Sequence, residues 1–167
     1  MFQFKLIKEK ILSSLPVLAL YILAFNSFEG LKEIENFVLF SFSLQMIIIY
    51  ILKFPDYLGL GHIFLAGMIN DVVLGTPLGT SSLSYLMLSF FTSYIKNVTI
   101  RSRMTTDWFT FVPAIFLSNL IYFVIINNFS NLSFYYVEIL RNSFFTFLFF
   151  PIFYYLFSSY QRRFKKD

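Results

Sequence analysis

The sequence predicts an all-α integral membrane protein, a six-transmembrane-helix bundle forming a single domain over residues 1–167, and three observations carry that expectation. Hydrophobic residues make up 57% of the chain and charged residues 13%, against roughly 25% charged in an average soluble domain. The mean hydropathy is +0.70. Long apolar runs recur from one end of the sequence to the other, with none of the polar alternation of a barrel strand. A bilayer-spanning helix needs about 20 mostly apolar residues, so 167 residues accommodate about six spans with their turns and no sizeable domain outside the lipid. The chain has no cysteine, which excludes disulfides, iron–sulfur clusters and thiolate zinc sites.

The first span is placed at about 11–28. Basic residues precede it, but no small-x-small cleavage site follows at Ala24-Phe25-Asn26, so a retained span is favoured over a signal peptide. The second, about 37–52, is apolar throughout. The third (about 58–74) and fourth (about 83–95) are short and close together. They could be read as one re-entrant hairpin leaving four full spans, but six is preferred. The fifth covers about 108–126 and the sixth about 137–160. Pro16, Pro113 and Pro151 lie inside spans and predict local kinks. Tyr57, Tyr94, Trp108, Tyr135, Tyr136 and Tyr160 fall at span ends, where amphipathic rings anchor at the headgroups. The 25 phenylalanines fit lipid-facing positions that demand only hydrophobicity.

The charges orient the bundle. Lys5, Lys8, Lys10, Lys53, Lys96, Arg101, Arg103, Arg162, Arg163, Lys165 and Lys166 fall on one side, which holds eleven of the 13 basic residues. Lys32 sits opposite, in a loop with Glu29, Glu33 and Glu35, and Arg141 lies just inside the sixth span. The positive-inside rule then makes both termini cytoplasmic. The net charge of +4 marks membrane orientation rather than a nucleic-acid partner.

Chemistry is sparse. The acidic residue well inside an apolar span is Asp71, in Gly67-Met-Ile-Asn-Asp71-Val-Val-Leu-Gly75-Thr-Pro-Leu-Gly79. A mid-span Asp costs about 2.5–3.5 kcal/mol on insertion and needs a partner or a position near the headgroups. Gly67, Asp71 and Gly75, at i, i+4 and i+8, share a helix face on which a second helix can approach closely. Helix packing is therefore favoured over a proton or ligand site. Span three ends near Gly75, which puts Asp71 about 6 Å from that end. Arg141 enters from the same side at a similar depth, so an Asp71–Arg141 ion pair is expected, with Glu138 as a competitor for the arginine; the alternative is that Arg141 snorkels to the outer surface and Asp71 bonds Asn70 or Ser groups. Gly75-Thr-Pro77-Leu78-Gly79 breaks the helix and turns the chain, because glycine accepts positive φ and Pro77 lacks a donor. Thr80 or Ser81 is then available as the next N-cap.

Tyr85, Ser89, Thr92, Ser93 and Lys96 form a stripe on span four that suits a helix–helix seam. Gln45, Asn119 and Asn142 are intramembrane amides expected to bond neighbouring helices. His62, the one histidine, stands apart from any acidic cluster. No nucleophile triad, paired catalytic carboxylates or metal-ligand spacing is present, so neither catalysis nor a cofactor is expected.

At the third span the sequence resembles the rod shape-determining protein MreD family. The resemblance rests on Phe54-Pro55 closing span two and on Gly67-x-x-x-Asp71-x-x-x-Gly75-x-x-Leu78-Gly79, together with the size, Pro151 in the last span and the basic tail from Arg162. It implies a six-helix fold like that of the substrate-binding S components of ECF vitamin transporters. It also implies a non-catalytic scaffold of the bacterial cell-wall elongation complex, multi-pass in the cytoplasmic (inner) membrane and needed for lateral peptidoglycan synthesis and rod shape. The partners it implies are MreC, the actin-like MreB, RodA and a class B penicillin-binding protein, met through helix surfaces and short loops within the lipid bilayer. The competing reading is an ECF-type S component, with the turn at Gly75–Gly79 and the loop 127–136 as lid. Against it, span one lacks an Ala-x-x-x-Ala docking groove, since Ala19 is followed four residues later by Leu23.

Overall fold

The computed structural model describes residues 2–25, 35–53, 58–98, 104–129 and 136–164. Six helices follow one another: α1 (Phe2–Phe25), α2 (Glu35–Lys53), α3 (Leu60–Leu74), α4 (Thr80–Val98), α5 (Met104–Phe129) and α6 (Tyr136–Phe164). There is no strand among the described residues. Most helices overrun the apolar runs that announced them: α4 begins at Thr80 and α6 continues to Phe164. Hydropathy locates the apolar part of a helix, whereas its ends are set by where backbone hydrogen bonding stops.

The stretches Met104–Phe129 and Ile139–Ser159 are long and apolar enough to cross a membrane; Ser14–Phe25, Leu39–Lys53 and Leu60–Leu74 are apolar but shorter. At 1.5 Å per residue, the 15 residues of α3 rise about 22 Å, less than a hydrocarbon core of roughly 30 Å.

The order of packing follows from which helix is apolar all round. Met46, Ile47, Ile48, Ile49, Tyr50, Ile51 and Leu52 are consecutive and all buried, which only a helix enclosed on every side achieves. Accordingly α2 packs against α1, α4 and α6, while α1, α3, α4, α5 and α6 adjoin in turn around it. Tyr50 packs against Phe111 of α5 and edge-on to Phe150 of α6, with ring centroids 4.5 and 5.7 Å away. Such aromatic pairs contribute about 0.5–1.5 kcal/mol each beyond burial.

The helices of the ring present apolar side chains outward. Phe109, Phe116, Phe144 and Tyr155 are each more than 60% exposed, and Leu18, Ile22, Val72, Phe90, Leu140 and Ile152 are exposed as well. Serine, threonine, asparagine, glutamine and aspartate instead fill the inside. Ser41, Ser43, Gln45, Asn70, Asp71, Ser81, Ser84, Asp107, Ser118 and Asn119 are all buried.

Candidate functional site: the Asp71 turn and the interhelical polar network

Helix α3 ends where Gly75 adopts φ 66°, the left-handed conformation of a glycine C-cap. Its N–H and that of Thr76 both bond back to the Asp71 carbonyl. Gly79, at φ 99°, bends the chain a second time, and α4 starts one residue later. These two bends fold residues 76–81 back over the Asp71 carboxylate. Its Oδ1 accepts from the Thr76 hydroxyl at 3.0 Å and from the Ser81 backbone N–H at 2.8 Å. Its Oδ2 accepts from the Gly79 N–H at 2.9 Å. Asp71, the fully buried carboxylate of α3, thus caps the N-terminus of α4, where orphan donors and the helix dipole both favour an anion.

This arrangement replaces three expectations. No Asp71–Arg141 contact lies among the described residues; the carboxylate takes its donors from the turn instead. The Nε of Arg141 is buried without a hydrogen-bond partner, and the side chain of Glu138, its expected competitor, lies outside the described residues. Capping by Thr80 or Ser81 gives way to Asp71. The Thr80 hydroxyl turns back to the Pro77 carbonyl at 2.6 Å, and the Ser81 hydroxyl accepts from Asn70 Nδ2 at 2.9 Å. The glycine groove also divides. A Cβ on Gly67 would lie 2.5 Å from Ser82 Cα and 2.6 Å from Ser82 N, whereas one on Gly75 would meet nothing within 4 Å. Gly67 alone brings two helix backbones together, and Gly75 terminates the helix. Ser82 completes the approach by donating to the Phe64 carbonyl at 3.0 Å. Pro77 supplies the carbonyl that starts α4, while Leu78 points outward, 66% exposed.

From Asn70 the polar contacts run inward. Gln45 of α2 donates to Asn70 Oδ1 at 3.4 Å and accepts from the Tyr85 hydroxyl of α4. A second set joins α2, α5 and α6. Ser43 donates to Asn142, Asn142 donates to Asn119 Oδ1 at 3.5 Å, and Asn119 donates to Ser143 at 2.6 Å. Of the expected α4 stripe, Tyr85 reaches another helix in these bonds. Thr92 and Ser93 bond to carbonyls one turn back in α4, and the buried Ser89 hydroxyl has no partner.

Two features escaped the sequence reading. Ser84 and Ser118 exchange hydrogen bonds, each hydroxyl donating to the other's carbonyl at 2.6 and 2.8 Å, which ties α4 to α5. The signal was faint: small residues on two adjoining helices. Asp107, placed just before the fifth span, is buried in the first turn of α5. Its Oδ2 accepts from the Tyr154 hydroxyl of α6 at 2.9 Å, while Tyr50 of α2 bonds Thr110 at 2.9 Å and the Asp107 carbonyl at 3.4 Å. A lone Asp beside Trp108 reads as an interfacial residue until α2 and α6 close over it.

Elsewhere Lys53 donates to the Leu58 carbonyl at 3.2 Å at the end of α2. His62 is exposed and lies 3.3 Å from the Tyr21 hydroxyl. Among the described residues no group of three or more His, Cys, Asp or Glu is placed to hold a metal ion. The polar groups bind one helix to another, and this is chemistry of assembly: caps, amide pairs and reciprocal serine bonds in an apolar surround, where each is worth about 0.6 kcal/mol and up to about 2. In comparisons with known proteins, no family model, no curated protein and no solved structure matches the chain.

Proposed function

We propose that the chain is a six-span membrane protein with cytoplasmic termini, acting as a non-catalytic scaffold in the bacterial cell-wall elongation complex. The membrane half of this reading is supported by the inverted polarity of the bundle. Polar side chains from five helices are bonded to one another inside, and large apolar side chains face out on every helix of the ring. Water would penalise that distribution, and lipid favours it. The two long apolar stretches, Met104–Phe129 and Ile139–Ser159, and the one-sided basic residues add to it.

The scaffold half rests on the resemblance to the MreD family at Gly67, Asp71, Gly75, Leu78 and Gly79, and on what those residues do in the fold. A close backbone approach and an internal carboxylate cap build a rigid α3–α4 pair without spending its outward faces, which are left for partners. The partners are MreC, RodA, a class B penicillin-binding protein and, at the cytoplasmic side, MreB.

The deciding experiment is purification of the tagged protein from membranes in mild detergent, with mass spectrometry of both co-purifying proteins and small molecules. Recovery of a bitopic partner together with wall-synthesis enzymes is the expected result. A stoichiometric vitamin with no protein partner would replace the scaffold reading with that of an ECF-type S component.

A further inference from the structure

We propose that Arg141 holds the phosphate of a phospholipid at the N-terminal end of α6, an inference that rests on the membrane reading above. Arg141 lies within the apolar stretch Ile139–Ser159 and is half-buried. Its Nε is shut off from solvent yet makes no hydrogen bond. A guanidinium carries five donors and stays charged. In an apolar surround it must find an anion or reach the headgroups.

Neither carboxylate among the described side chains, Asp71 or Asp107, is bonded to Arg141. Asp71 accepts from Thr76, Gly79 and Ser81. Asp107 receives Tyr154, at the far end of α6 from Arg141, more than three turns along the helix. The amide next in sequence, Asn142, is turned inward to Ser43 and Asn119. Arg141 stands about 100° round the helix from it, on the border between the packed seam and the outer face.

That border decides what kind of phosphate fits. Val137, Leu140 and Phe144 occupy the adjoining turns and are exposed by 68%, 67% and 63%. A ligand reaching the guanidinium therefore lies along an apolar helix face, and a molecule with a phosphodiester above two acyl chains matches both surfaces. Free phosphate matches only the charge. Arg141 is five residues from the start of α6, about 7.5 Å along the axis, a depth from which a long side chain reaches the headgroup layer. Bidentate guanidinium–phosphate hydrogen bonds supply the affinity.

The test uses the full chain purified in detergent and native mass spectrometry after addition of phosphatidylglycerol, diacylglycerol or inorganic phosphate. Wild-type protein should retain phosphatidylglycerol. Arg141→Gln should retain it about tenfold less, the loss of a charge-assisted bond, and Arg141→Lys should fall between. Diacylglycerol should not be retained, and millimolar inorganic phosphate should not displace the phospholipid. Equal retention by a folded Arg141→Gln protein, or displacement by inorganic phosphate, overturns the proposal. So does a fall in melting temperature shared by Arg141→Gln and Glu138→Gln with lipid retention unchanged, which would assign Arg141 to an internal ion pair. Should Arg141→Gln fail to fold, Leu140→Glu, which charges the adjoining acyl-chain face, must also lower retention for the proposal to stand. If the wild-type protein is instead soluble without detergent and does not float with vesicles, the membrane reading itself fails. A membrane-inserted protein lacking Arg141-dependent lipid loses only this site.

Discussion

The Ser81 backbone N–H donates to the Asp71 carboxylate at 2.8 Å, so a side chain near the end of α3 is the N-cap of α4. The cap is borrowed from the preceding helix rather than supplied by the residue before α4. Turn and helix start are consequently one unit, and substitutions around it separate into distinguishable effects.

Replacing Asp71 should be the most costly change in the turn. Asp71→Ala leaves the N–H groups of Gly79 and Ser81 and the Thr76 hydroxyl without their acceptor, and lost caps cost about 0.5–2 kcal/mol, with buried unmade bonds adding about 1–3 each. Asp71→Asn keeps one acceptor oxygen and should recover part of the loss. Thermal unfolding in detergent, read by helical circular dichroism, should rank the proteins wild type, Asn, Ala. An Ala variant as stable as wild type would contradict the capping role.

Gly67 and Gly61 offer a controlled pair on one helix. A Cβ at Gly67 would clash with the Ser82 backbone, while one at Gly61 meets nothing within 4 Å. Gly67→Ala should destabilise by about 1–3 kcal/mol through overpacking, and Gly61→Ala should stabilise by up to about 1 kcal/mol through helix propensity. The same melting assay checks the opposite signs.

The two turn glycines should differ in what they tolerate. Gly75, at φ 66°, occupies the left-handed C-cap, so Gly75→Asn should cost little. Gly79, at φ 99°, lies farther from any conformation that side-chain residues favour, and Gly79→Leu should cost about 1–3 kcal/mol. Under the proposed scaffold function, in a rod-shaped host depending on this copy, Asp71→Ala and Gly79→Leu should produce rounded cells, whereas Gly75→Asn should leave width unchanged. Microscopy of the three strains, with expression matched by immunoblot, is the measurement.

Ser84 and Ser118 are suited to a double-mutant cycle. Each single alanine removes one hydroxyl donor and leaves the reciprocal bond in place. Because both acceptors are backbone carbonyls that alanine retains, the two losses should add to within about 0.5 kcal/mol. A larger coupling would mean that losing one bond parts the helices and breaks the other.

Composition and local pattern by themselves determined that the chain is helical and that it turns at Gly75–Gly79. Apolar runs and turn residues are local properties, legible wherever they stand in the sequence. They also picked out Asp71, because a carboxylate in an apolar run needs a partner wherever the rest of the chain goes.

Which partner it takes was a tertiary decision. An arginine at matching depth looked sufficient, but two positive-φ glycines bring the Thr76 hydroxyl and the backbone N–H groups of Gly79 and Ser81, only five to ten residues away, onto the carboxylate, and these donors reach it ahead of a distant guanidinium. The enclosure of α2, the burial of Asp107 beneath Tyr154 and the paired bonds of Ser84 and Ser118 were likewise settled by packing. Each depends on which faces of separate helices meet, and that is fixed by the fit of neighbouring surfaces rather than by any one segment.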